Sequence, residues 1–193
     1  MKKDREELLI KKLLYSNKQY IACLKAIRNY SEEELWIGGG FIRTIVWDYQ
    51  HHYDTPTEFI DIDVFYYQLA CVVKEKDFEI ERYLHTQIQN TRWSVKNQAR
   101  MHMHHKDEKQ YDSLEDALFK FPDTASTVAV RIDANDNIIF IAPYGYNDLF
   151  ELKVKPTPTF LNNPDKMLRY RQRIIEKEWK TIWPKLDIEY LYQ

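Results

Sequence analysis

Three consecutive glycines, Gly38, Gly39 and Gly40, constrain this chain more than any other feature, because only 4 glycines occur in its 193 residues. The run follows a short apolar segment, Leu35 to Ile37, and precedes FIRTIVWDYQHH, in which Ile42, Ile45, Val46 and Tyr49 fall at helical spacing. The predicted order is strand, glycine turn, helix. Residues without a Cβ reach positive φ freely and let a ligand come close to the main chain. The helix that follows offers unpaired N–H groups and the positive end of its dipole, a setting that suits phosphate. Arg43 falls in the first turn, where a guanidinium can fork onto phosphate oxygens. A tight turn with Arg43 paired to a carboxylate explains the same residues without a ligand.

A second feature follows after a polar loop containing Pro56. FIDIDVFYY alternates Ile60, Ile62 and Val64 against Asp61, Asp63 and Phe65, a strand pattern with two acids on one face. Their Cα atoms would lie roughly 7 Å apart, from a rise of about 3.3 Å per residue. Such a pair can share a hard divalent cation, and Mg²⁺ (or Mn²⁺) completes its shell with water and substrate phosphates. Side by side without a cation or basic partner, the two charges repel. An isolated D-x-D is more often a solvated strand face. Here it follows a glycine turn in the order that would bring the two together.

Elsewhere the chain reads as one α+β domain spanning 1–193, with a helical N-terminal scaffold over 1–30 and a helical tail over 157–193. Helices are expected over 5–29 with a break near Ser16 and Asn17, over 77–89, near Asn97, over 113–119, and over 164–182 up to Pro184. Further strands are expected at 92–95 and in TVAVRIDANDNIIFIAP, two runs joined by a polar turn. Lys plus Arg is 28 against 30 for Asp plus Glu, a formal net charge of −2, so any polyanion contact must be a local patch. No apolar run approaches the roughly 20 residues that cross a bilayer, and MKKDREELLIKK is too charged for a secretory signal. A cytoplasmic protein without membrane contact is the expectation. Cys23 and Cys71 lie in apolar segments far apart in sequence, as buried reduced thiols would.

Together, Leu35-Trp36-Ile37-Gly38-Gly39-Gly40, the helix with Arg43, and Asp61-Ile62-Asp63 resemble the glycine motif and metal-binding D-x-D of the polymerase β-like nucleotidyltransferase superfamily. Gly39 to Arg43 is also similar to the G-G-x-V-R start of CCA-adding enzymes. It departs from them at Thr44, where those enzymes usually have Asp, and in a longer interval from Gly40 to Asp61. WIGGGFIRTIVWD (36–48), DIDVFYY (61–67), WSVKNQARMH (93–102), APYGYNDLFELKVKP (142–156) and the closing Lys180 to Leu186 resemble small stand-alone bacterial nucleotidyltransferase-like proteins over nearly the whole chain.

The resemblance implies a minimal nucleotidyltransferase fold: a short mixed sheet flanked by helices, the glycine turn after its first strand and the acidic pair on its second. It further implies an enzyme moving a nucleoside monophosphate from an NTP to an acceptor hydroxyl or amine, an RNA end being the less favoured acceptor. Gly38, Gly39, Gly40 and Arg43 would then bind nucleotide, and Asp61 and Asp63 would be catalytic and hold Mg²⁺. The superfamily usually adds a third carboxylate from a later strand. By position the residue here is Ser94, with Asp133, Asp148 and Glu151 as substitutes that no spacing selects. A nucleotide-binding or regulatory protein with little turnover is the alternative that Ser94 suggests.

Lys96 should end its strand beside the acidic pair, where it would hold the triphosphate or balance the aspartates, unless it only makes a surface salt bridge. His102, His104 and His105 read as a solvated or substrate-edge cluster rather than a zinc site, for want of partner ligands at zinc spacing. His51 and His52 read as last-turn residues favoured by a helix dipole. The tail's Lys166, Arg169, Arg171, Arg173, Lys177 and Lys180 alternate with apolar residues, as in an amphipathic helix with its charged side in water. Trp36, Trp47 and Trp93 read as core or wall.

Overall fold

A computed structural model describes residues 2–70, 72–105, 107 and 109–190. The N-terminal scaffold is two helices, α1 (Lys2–Ser16) and α2 (Lys18–Arg28), broken where Asn17 turns out of the helix and its side chain accepts the Gln19 N–H at 2.9 Å. Next come β1 (Trp36–Ile37), α3 (Gly40–His51), β2 (Ile62–Tyr66), α4 (Glu75–Gln87) and β3 (Trp93–Asn97). A 3₁₀ turn, α5 (Met101–His105) and α6 (Leu114–Phe119) lead to the hairpin of β4 (Ala129–Ile132) and β5 (Ile138–Ile141). The chain closes with α7 (Asn147–Phe150), β6 (Lys153–Val154), α8 (Pro158–Leu161), α9 (Pro164–Glu176), α10 (Trp179–Ile182) and β7 (Asp187–Ile188).

The five strands order as β3-β2-β1-β4-β5, and β6 pairs with β7 in a separate two-stranded parallel ribbon. Only β2 and β3 run parallel in the main sheet, joined by the α4 crossover; the other neighbours are antiparallel. The sheet is therefore short and mixed, as the resemblance implied. Alternation sorts its two faces: Ile37, Ile62, Val64, Val95 and Val130 enter the main core, while Trp36, Phe65 and Ala129 pack with Leu114 and Leu118 on the other side.

Helix α3 runs through the middle of the molecule, with Phe41 to Asp48 all buried. Tyr49, which shares the apolar spacing, is nonetheless 43% exposed, because α3 reaches the surface at its last turn. Trp36, Trp47 and Trp93 are buried, as expected. So is Cys23, whose thiol burial pushes up to about 12, whereas Cys71 lies outside the described residues. Alkylation at Cys23, followed by peptide mass spectrometry, should be negligible in the folded protein and rapid once denaturant opens the core.

The tail corrects one expectation. In place of a single helix over 164–182, α9 stops at Glu176, and Glu178 adopts a left-handed conformation (φ 50°) before α10 starts. A non-glycine residue held there stores on the order of 1–3 kcal/mol, so surrounding contacts must fix it. Trp179 supplies them, packing edge-on to Trp47 at 5.3 Å between ring centroids, and Trp183 Nε1 donates to Asp48 Oδ1 at 2.8 Å. Nor is the charged side of α9 wholly in water: Lys166 is buried against Asp107, and Arg171 donates to the Tyr190 carbonyl at 2.8 Å. Apolar Leu168 and Ile175 are the exposed ones. Among the described residues no helix is long and apolar enough to cross a membrane.

Candidate active site

The glycine turn and the acidic pair meet directly. Gly38 N donates to the Asp63 carbonyl at 3.1 Å, which ties the turn to β2. A Cβ on Gly38 would lie 2.5 Å from the Phe65 ring, so only glycine lets the strands close. Gly39, the N-cap of α3, has φ 58° and ψ −116°, a region open in practice to glycine alone, and a Cβ there would sit 3.0 Å from Asp63 Oδ2. No side chain caps α3, so the helix end is left to other acceptors. Asp61 precedes the first residue of β2 rather than lying on it, but both acids line one small cavity of about 100 Å³ above the turn.

Neither Asp61 nor Asp63 makes a side-chain hydrogen bond or ion pair among the described residues. The half-buried Asp63 carboxyl is held above the usual carboxylate range, first by burial and then by Asp61, against the pull of Arg173, Lys177 and Arg43. Two neighbouring carboxylates without protein partners are a donor set that fits a hard divalent cation, which would relieve the burial of Asp63 and the repulsion between the pair. No group of three or more His, Cys, Asp or Glu side chains suited to a metal occurs among the described residues. The substitutes for a third carboxylate are placed elsewhere. Asp133 caps the β4–β5 turn, Asp148 accepts from Thr124 Oγ1 and pairs with Lys155, and Glu151 pairs with Lys153.

Arg43 is only 4% exposed. Its guanidinium lies 4.2 Å from the Trp179 ring and 5.1 Å from Trp47, and its Nη1 donates to Ser126 Oγ at 2.6 Å. Ser126 in turn donates to the fully buried Asp123 at 2.9 Å, so Asp123 supports Arg43 through one hydroxyl. Burial pulls Arg43 down to about 10, opposed by Asp123, so it keeps its charge at neutral pH. Its other arm reaches back to the glycine turn, with Nη2 3.4 Å from where a Gly40 Cβ would stand.

Sequence reasoning missed Arg173 and Lys177, which arrive from α9 and line the cavity with Arg43, Asp61 and Asp63. It also missed Asp48, which accepts both the Thr57 N–H (2.7 Å) and hydroxyl (2.8 Å) and so anchors the loop leading into Asp61. Thr44 lines the cavity too. Beyond the Thr57–Phe59 loop lies a larger groove of about 440 Å³ that shares Asp61 and is lined by Asn17, Tyr20, Asn90 and Arg92.

In the parallel β2–β3 register Asp63 stands opposite Ser94 and Phe65 opposite Lys96. Ser94 is thus the neighbour of Asp63 across the strand. Lys96 shares that face but is not brought to the cavity; its ammonium donates to the Val95 carbonyl at 3.1 Å. The histidines lie apart from the acids: His51 Nδ1 is 2.8 Å from the Trp47 carbonyl, His52 caps α3 at φ 58°, and His105 Nδ1 is 2.9 Å from the Tyr111 hydroxyl.

Comparison with solved structures places this arrangement. An NMR structure of a protein that reveals a CCA-adding enzyme head domain superposes with a TM-score of 0.82 at 28% identity, covering 93% of this chain and 94% of that one. The Thermotoga maritima CCA-adding enzyme complexed with tRNA gives 0.58 at 16% identity, over 93% of this chain and 42% of its own. A CCA-adding enzyme in complex with CTP gives 0.59 at 16%, over 93% and 43%. The chain spans less than half of these two enzymes, and the likeness to them is one of fold. No curated protein matches the chain. Its residues 25–188 match the nucleotidyltransferase family, to which this chain belongs.

Proposed function

We propose that the chain transfers a nucleoside monophosphate from an NTP to an acceptor hydroxyl or amine with the help of a divalent cation. The observation that carries this is the closeness of the glycine turn to Asp63, whose Oδ2 would lie 3.0 Å from a Cβ on Gly39, in a cavity that also holds buried positive charge. The uncapped α3 terminus and the turn's backbone bind phosphate oxygens. Asp61 and Asp63 hold Mg²⁺ or Mn²⁺, which when bound supplies charge neutralisation for the triphosphate. Arg43, fixed by Ser126 and two tryptophan rings, adds a preorganised positive field at the turn. The acceptor atom bonds to the α-phosphorus and gives up its proton to water or a carboxylate. The α–β bridging P–O bond then breaks, and pyrophosphate leaves with that oxygen and its electron pair.

CCA-adding enzymes of this fold have been solved with CTP and with ATP, which supports an NTP as donor. The groove beyond the Thr57–Phe59 loop opens onto Asp61 and would admit a small acceptor. A small hydroxyl or amine is favoured over an RNA end, since the net charge is −2 and the clustered cations face the cavity. Calorimetric titration of ATP and CTP, with and without Mg²⁺, tests the donor site. Mg²⁺-dependent binding by the wild type and none by the Asp61→Ala/Asp63→Ala double variant is the expected result. Equal binding by both would overturn it.

One observation favours a second function, a nucleotide-binding or regulatory protein with little turnover: Ser94 stands opposite Asp63, where a third carboxylate would help activate the acceptor. Tight Mg²⁺–NTP binding without transfer to any component of a cell extract would select it.

A further inference from the structure

We infer that Arg173 and Lys177 form the seat for the β- and γ-phosphates, so that the C-terminal helix α9 recognises the triphosphate of the donor rather than merely covering the domain. This rests on the NTP-donor function proposed above.

Both side chains line the cavity that contains Gly40, Asp61 and Asp63, although α9 begins 98 residues after the end of β2. Among the described residues neither side chain makes a hydrogen bond or ion pair, and the buried Nε of Arg173 has no acceptor. An unsatisfied guanidinium N–H is costly to bury, so in a folded domain it marks a place where another acceptor is expected. Asp63 does not satisfy it: it feels Arg173 through the field but makes no hydrogen bond or ion pair among the described residues. Lys177 is pulled below its usual range by burial and by the positive charges of Arg173 and Arg43. Three cations crowded in one cavity repel one another.

Charge counting identifies what would relieve this. A divalent cation neutralises Asp61 and Asp63, which leaves Arg43, Arg173 and Lys177 facing the ligand. A ligand offering several phosphate oxygens on one side and a metal on the other answers both halves of the cavity, and a triphosphate–metal complex is that ligand. A monophosphate on the glycine turn offers fewer oxygens to Arg173 and Lys177 than a triphosphate does. The local structure is built for this placement. The left-handed Glu178 ends α9 one residue past Lys177 and turns Trp179 back under both guanidinium groups, 4.2 Å from Arg43 and 5.7 Å from Arg173. The aromatic floor holds both guanidinium groups in position without itself accepting a hydrogen bond from them.

The test is calorimetric titration of ATP, AMP and inorganic tripolyphosphate, each with Mg²⁺, against wild type, Arg173→Gln, Lys177→Met and the charge-keeping Arg173→Lys. Wild type should prefer ATP to AMP. Each neutral variant should lose roughly tenfold or more in affinity for ATP and tripolyphosphate, as expected for one charge-assisted contact, with AMP unchanged. Arg173→Lys should recover much of the loss. Unchanged ATP affinity in correctly folded neutral variants would overturn the assignment while leaving the donor site standing. An equal fall for AMP and ATP would also overturn it, by making the role structural. Absence of any nucleotide binding by the wild type would remove both proposals. Lys177 is half-exposed, so Lys177→Met keeps the test decisive if Arg173→Gln fails to fold.

Discussion

Replacing Asp63 with Asn should raise the melting temperature of the metal-free protein while lowering nucleotidyl transfer by about 10²–10³-fold or more, the range seen when one preorganised electrostatic group is lost from an active site. The two effects have one cause. Burial and Asp61 make the charged Asp63 unfavourable in the fold, and no hydrogen bond offsets that among the described residues. Its folded-state pKa is raised, so the stability contributed by the protonated form is fully present below the unfolded value of 3.8 and is lost as pH rises through the folded value. At neutral pH the wild type therefore carries a cost that Asn removes. The gain reads as a higher melting temperature, at roughly 2–4 °C for each 1 kcal/mol of cost relieved in a domain of this size. The difference should shrink as pH falls toward 4. Mg²⁺ should raise the melting temperature of the wild type and leave Asp63→Asn unmoved. Thermal melts across pH, with and without Mg²⁺, read all three; a variant less stable than wild type at neutral pH would show that the charge is accommodated.

Gly39→Ala should damage both fold and site. The backbone at φ 58° and ψ −116° costs an alanine on the order of 1–3 kcal/mol, which alone should lower the melting temperature by several degrees. The added methyl carbon would lie 3.0 Å from Asp63 Oδ2, and the atom most able to yield is that carboxylate. Relief of the contact thus displaces a proposed metal ligand. Nucleotide binding measured at a temperature where the variant is still folded should be lost or reduced at least tenfold. Gly145→Ala is the control, for it shares a positive φ (68°) but has nothing within 4 Å of its added Cβ. It should lose stability and keep binding.

What could be read from sequence were the features with local causes. Three glycines between an apolar run and a helical pattern specify a turn that needs positive φ, and the structure places the only unusual backbone of the turn at Gly39. Period-two alternation put Asp63 and Phe65 on one face of β2, and the same period put Ser94 beside Asp63 in β3. Arg43 was legible by position but not by environment: its partners Ser126 and Trp179 come from segments 83 and 136 residues away, and contacts of that range leave no periodic trace. Arg173 and Lys177 were hidden for a further reason. Their place in the cavity depends on how α9 docks on the domain, where Trp179 follows the left-handed Glu178, and a glutamate in that region carries none of the signal that a glycine would. Asp48 escaped notice because its helix shows an apolar repeat, while its function is to hold Thr57 and Trp183. Lys96 had the expected strand and face but stands two pairs beyond Asp63 in the register, opposite Phe65.

The central claim is that an α-phosphate leaves this site on an acceptor while pyrophosphate departs. Incubation of the protein and Mg²⁺ with a cell extract, in parallel with α-labelled and γ-labelled NTP, tests it most directly. Label on an acceptor from the α-position only, recovery of the γ-label as pyrophosphate, and loss of both with Asp61→Ala/Asp63→Ala are the expected results. Label on the acceptor from the γ-position, or transfer that survives the double substitution, would contradict it.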